Sequence, residues 1–124
     1  MADPERPGLP DPADVLRRLG QGLAQAARQL EESGEPALAA LAPEIEGFTR
    51  TLEAAADAMT AAGDAARGPA QLLWLHEIRG AVTTVVGWVD LLAMAREEPR
   101  RERARAAIEQ SVRILRERLT QPPP

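Results

Sequence analysis

The chain holds one histidine, His76, followed directly by Glu77 and three residues on by Arg79. A neutral imidazole nitrogen is a nucleophile, and a neighbouring carboxylate can hydrogen-bond the second ring nitrogen and fix the tautomer. Such a histidine can accept a phosphoryl group when an incoming donor reaches its nitrogen in line, which requires exposure on a rigid support. A zinc-protease site is excluded, because no second histidine closes a His-Glu-x-x-His pair. The absence of cysteine removes disulfides, thiolate metal sites and cysteine catalysis. No metal and no cofactor is expected.

The support for His76 is legible as a helix. Leu75, Ile78, Val82, Val85, Val89 and Leu92 recur at alternating spacings of three and four. Val82, Val85 and Val89 favour strands, but a period near 3.5 residues over six positions argues for a helix. With Leu75 at heptad position a, His76 falls at b, just outside the seam. Trp74, Ala81 and Trp88 fall at g and widen the buried stripe, and Glu77 at c faces outward. The helix is predicted over about 69–97, with Gly68-Pro69 as its boundary.

Three further helical segments are predicted. The first starts at Asp11-Pro12, a cap followed by a proline, and stops at Ser33-Gly34. Its seam is Leu16, Leu19, Leu23, Ala26 and Leu30, weakened by Gly20 and Gly22. The second starts at Glu35-Pro36 and ends near Gly63, with the seam Leu38, Leu41, Ile45, Phe48, Leu52, Ala55, Met59 and Ala62. Pro43 lies inside it and predicts a kink or break. The last follows Glu97-Glu98-Pro99 and ends near Leu119, with Ala104, Ile108, Ser111 and Leu115 as its seam and Val112 and Leu119 alongside. Its short connection to the His76 helix predicts an antiparallel hairpin.

Composition agrees. Phe48, Trp74 and Trp88 are the only aromatics, there is no tyrosine, and Ala, Leu, Glu and Arg dominate. The fold class expected is all-α, antiparallel helical hairpins forming a four-helix-bundle dimer, with a monomeric bundle of all four seams as the alternative. The divisions expected are a disordered arm over 1–12, an N-terminal helical hairpin over 13–66, the His76 hairpin over 69–119 and a tail over 120–124. All 15 basic residues are arginine, and the net charge of −4 is uneven. Residues 1–70 hold 12 acids and 6 arginines, and residues 71–124 hold 7 acids and 9 arginines. Neither half is basic enough to predict nucleic-acid binding. The apolar-rich stretch 81–95 includes Asp90 and is too short to span a bilayer, and the N-terminus lacks a signal-peptide pattern. No membrane association and a cytoplasmic location are expected.

His76-Glu77-Ile78-Arg79, then Val82-Thr83, Gly87-Trp88 and Asp90-Leu91-Leu92, resembles the dimerisation and phosphoacceptor domain of bacterial sensor histidine kinases. That family reads His-Glu-aliphatic-Arg, then Thr or Asn, Pro, Leu, Thr, and later Gly-aromatic-x-acid-Leu-Leu. The resemblance covers residues 69–119. Gly80 stands where the family has Thr or Asn, a side chain that supports phosphatase activity there. Ala81 replaces the proline that bends the family's helix. The glycine-rich and asparagine boxes of an ATP-binding domain are absent from these 124 residues, so autophosphorylation by the chain alone is not expected. The run His76-Glu77-Ile78-Arg79-Gly80-Ala81 is also similar to the short histidine-phosphotransfer pattern, in which the glycine makes room for a receiver domain and the basic residue faces the phosphate.

These resemblances imply a two-component phosphotransfer protein. His76 would accept and pass a phosphoryl group, Glu77 would orient the imidazole and Arg79 would steady the phosphate. A receiver domain or a kinase ATP-binding domain would dock around Gly80, Thr83 and Thr84, and the chain would form a homodimer. The competing implication is a scaffold derived from a kinase hairpin, which binds such partners without chemistry. A third reading is a general coiled-coil adaptor.

Overall fold

The structure, a computed structural model, describes residues 11–121. Most of the arm expected over 1–12 and the last three residues of the tail lie outside the described residues. Helices are α1 (Pro12–Glu31), α2 (Pro36–Ala39), α3 (Ala42–Ala62), α4 (Pro69–Met94) and α5 (Glu98–Thr120), with a 3-10 turn over Gly63–Arg67. The fold is all-α, and no strand occurs among the described residues.

Local chemistry sets the boundaries. Asp11 caps α1, its Oδ1 accepting from the Ala13 N–H at 3.2 Å, and Pro12 opens the helix and is buried. Asp11 is thus the N-cap of α1 and Pro12 its first residue. At the other end α5 includes Thr120, whose hydroxyl donates to the Arg116 carbonyl at 2.7 Å. The expected break at Pro43 splits the second segment. Pro43 lacks the N–H that would bond back to Ala39, so α2 stops and α3 restarts at Ala42 with Pro43 in its first turn. Gly34 and Gly63 both have positive φ, 75° and 60°, and turn the chain after α1 and α3.

The four apolar seams meet in one core. Leu16, Leu23 and Leu30 of α1, Ile45 and Leu52 of α3, Ile78, Val82 and Val85 of α4, and Ile108 and Leu115 of α5 are all buried in it. Helix α1 sits between α3 and α4, and α4 pairs with α5. One chain therefore closes its own core, with α1 supplying a surface for the α4 seam.

Gly20 lies where α1 packs against α3. A Cβ there would meet Thr49 Cγ2 at 3.5 Å, and the Thr49 hydroxyl donates to the Gly20 carbonyl at 3.1 Å. A methyl would therefore be in ordinary contact there, while a larger side chain would have to push α3 away.

Polar contacts tie the ends together. Glu35, before α2, accepts from Arg105 at 2.6 Å and from Arg101 at 3.3 Å, both on α5. Arg101 also donates to the Leu92 and Ala95 carbonyls at 3.4 and 3.1 Å, covering the C-terminal end of α4. Arg105 pairs additionally with Glu98. On the opposite edge, Arg116 holds Glu44 of α3 through two hydrogen bonds of 2.5 and 2.6 Å. The hydrogen bond from Arg105 holds the Glu35 carboxyl below its ordinary 4.5, and the Arg116 bond does the same for Glu44.

Two predictions follow from these contacts. Gly20→Ala is expected to gain about 0.5–1 kcal/mol, because a methyl fits and the helix propensity rises, whereas Gly20→Leu is expected to lose about 1–3 kcal/mol by forcing α1 and α3 apart. Urea unfolding of both variants checks this, and equal losses would contradict the close approach. Carboxyls depressed in the folded state stabilise it above their unfolded value, and that contribution is lost as pH falls through the folded value. Glu35→Gln should therefore lower the melting temperature at pH 7, with the difference from the parent shrinking as pH falls below the ordinary carboxylate value and vanishing only below the depressed folded value, as thermal melts across pH would show.

Candidate functional site

Burial of the α4 seam decides where its other side chains point. Leu75 is 9% exposed and the other five seam residues are 2% or less. At 3.6 residues per turn this turns His76, Gly80, Thr83, Thr84 and Gly87 to the outside, and all five are exposed. The structure thus brings His76 and Gly80, Thr83 and Thr84, the residues expected to meet a partner, onto one outward face of α4.

His76 stands between two clefts. One, of about 360 Å³, lies between α4 and α5 and is lined by His76, Glu77, Gly80, Ala81, Thr84 and Ile114 among others. Gly80 and Ala81 leave it open because they carry little or no side chain, and a Cβ at Gly80 would meet nothing within 4 Å. The other, of about 390 Å³, lies toward α1 and is lined by Val15, Arg67, Leu72, Leu75, His76 and Arg79 together with Pro12. It joins an apolar floor to a rim that carries two arginines. Ser111, at the edge of the first cleft, is buried and bonds the Ile108 carbonyl at 3.0 Å.

Glu77 is engaged elsewhere than at His76. Its Oε2 accepts from Arg118 of α5 at 2.9 Å. Adjacent residues on a helix diverge by about 100°, so a carboxylate at the next position does not face the imidazole. The imidazole has no hydrogen-bond partner among the described residues. Arg79 is exposed and makes no ion pair among the described residues, which leaves its guanidinium open to an anion beside His76. The Thr84 hydroxyl donates to the Gly80 carbonyl at 2.9 Å, within the helix.

Arg118 is the residue that sequence reasoning missed. It lies 42 positions from His76, on the last turn of α5. Only the antiparallel hairpin brings it to Glu77, and no local pattern around Arg118 announces that contact. Trp74 and Trp88 pack against the core at the inner edge of α4, as the g positions predict. No group of three or more His, Asp or Glu residues capable of holding a metal occurs among the described residues. Among the described residues no helix is long and apolar enough to cross a membrane.

No known family matches the chain, nor does any curated protein or solved structure.

The Arg118–Glu77 pair is exposed, so Arg118→Ala is expected to cost no more than about 0–1 kcal/mol. A melting curve close to the parent's checks this, and a large loss would make the pair a structural strut rather than part of an open surface.

Proposed function

We propose that the chain is a phosphotransfer protein of two-component signalling, with His76 as the phosphoacceptor. The observation that carries this reading is the setting of His76: the single imidazole, exposed on the outer face of a helix whose opposite face is locked into the core. A bundle closed within one chain suits a donor that approaches from solvent. Pairing two copies seam to seam, as in a kinase hairpin dimer, requires α1 to leave the α4 seam.

The transfer begins with a partner's aspartyl-phosphate. The free nitrogen of the neutral imidazole attacks phosphorus in line, the acyl-phosphate P–O bond breaks, and the aspartate leaves as a carboxylate. The proton on the second ring nitrogen stays on the ring or passes to water. Arg79, three residues along the helix and lining the same cleft as His76, would neutralise the phosphoryl oxygens. Glu77 acts on Arg118 rather than on the ring, so tautomer control falls to the partner or to solvent. A receiver domain would approach across Gly80, Thr83 and Thr84, where the side chains are short.

A scaffold that binds such partners without chemistry is the second reading, and the absence of any hydrogen bond to the imidazole among the described residues favours it. Phosphoramidate, and then phosphorylated receivers from the same source, separate the two. Acid-labile phosphate on the parent, lost in His76→Gln and reduced several-fold in Arg79→Ala, is expected of the acceptor. Complex formation without any transfer would leave only the scaffold.

A further inference from the structure

The outer face of α4 carries more apolar surface than phosphoryl acceptance needs. Five large apolar side chains are conspicuously exposed among the described residues. Four of them, Leu72, Leu73, Leu91 and Met94, are on α4, and the fifth, Ile114, borders the cleft beside it. Leu73 is 59% exposed, Leu91 47% and Met94 69%. Between these apolar ends the helix is bare: a Cβ at Gly80 or at Gly87 would meet nothing within 4 Å.

Leu73, Gly80, Gly87 and Met94 are spaced by seven residues. On a straight helix such a row drifts by about 20° per heptad, so it faces one partner helix at a left-handed crossing near 20°. The row spans roughly 31 Å at a rise of 1.5 Å per residue. It is also self-complementary when reversed. An antiparallel copy centred between Thr83 and Thr84 sets Leu73 against Met94 and Gly80 against Gly87, twice by symmetry. Large side chains then meet at the ends, and glycines meet where two backbones come closest.

The charges choose the antiparallel sense. Arg79 and Asp90 lie on the same flank of the row, the one toward α1, and are exposed. Antiparallel pairing about a two-fold axis brings like flanks together, so Arg79 of each copy faces Asp90 of the other. On the opposite flank Glu77 is already held by Arg118. Opposed helix dipoles favour the same arrangement.

We infer that the outer face of α4 is the interface of an antiparallel homodimer, distinct from a seam-to-seam bundle. The core of each copy stays as described and only the outward row is covered. The register sets His76 beside Asp90 and Leu91 of the second copy. If His76 is the phosphoacceptor, a consequence that rests on that reading, the dimer covers the imidazole and a phosphodonor must displace the second copy.

Sedimentation equilibrium of the full chain tests the interface, and it reads nothing of phosphorylation. The parent is expected to be dimeric. Gly87→Arg should abolish the dimer while keeping the helicity and melting temperature of the monomer, since Gly87 is exposed and replacing a helical glycine does not weaken the helix. The chain has no cysteine, so single-cysteine variants report the register under mild oxidation. Thr83→Cys should crosslink to itself across the two-fold axis. Leu73→Cys should crosslink only when mixed with Met94→Cys. A parent that stays monomeric at every concentration, a Gly87→Arg dimer, or Leu73→Cys crosslinked to itself would each overturn the inference. Loss of phosphoryl acceptance with an intact dimer would count against the phosphoacceptor alone.

Discussion

Six side chains on α4 must leave water together, and the rest of the molecule is arranged around that requirement. Leu75, Ile78, Val82, Val85, Val89 and Leu92 form one stripe on one helix. Burying a side chain of this kind stabilises by roughly 1.5–3 kcal/mol, and an isolated hairpin with α5 covers only one side of the stripe. Helix α1 covers the other. Once α1 is seated, α4 cannot rotate, and the direction of every other side chain on it follows. The outward position of His76 is therefore a consequence of core packing and needs no special loop or strained backbone.

The N-terminal half prepares α1 for that role. The break before Pro43 separates α2 from α3, and the turn at Gly34 carries Glu35 toward the start of α5. There Glu35 meets Arg101 and Arg105, and Arg101 in turn covers the carbonyls at the end of α4. The start of α2, the end of α4 and the start of α5 are thus joined at one end of the bundle. At Gly20 the Thr49 hydroxyl of α3 bonds the α1 backbone, which ties α3 to the helix that the α4 seam packs against.

Much of this was readable from the sequence because it is periodic or local. The heptad on α4 fixes which residues are buried, and His76 at a b position follows from it. The break at Pro43 and the cap at Asp11 are decisions of single residues. The contacts that give the site its detail are neither periodic nor local. Arg118 reaches Glu77 only because α5 runs antiparallel at one particular stagger, and Glu35 finds Arg101 and Arg105 only through the packing of both hairpins. The apolar pattern also leaves open whether the α4 seam is covered by α1 or by another chain, since both bury the same residues. Gly20 reads as a weakness of α1 in isolation, and its contact with Thr49 exists only once α3 is packed against it. The missing Glu77 contact to the imidazole is a matter of helical geometry, since neighbouring residues diverge in direction.

The lone imidazole and the all-arginine basic set have a joint consequence for how the molecule can be labelled. Lysine, tyrosine and cysteine, the side chains that acylating and alkylating reagents usually reach first, are absent from the chain. The lone pairs of each guanidinium are delocalised over its plane, so among the side chains the one nitrogen nucleophile is His76. A reagent that modifies imidazoles therefore modifies one exposed ring on the outer face of α4, and whatever binds beside that ring is read as protection of a single site.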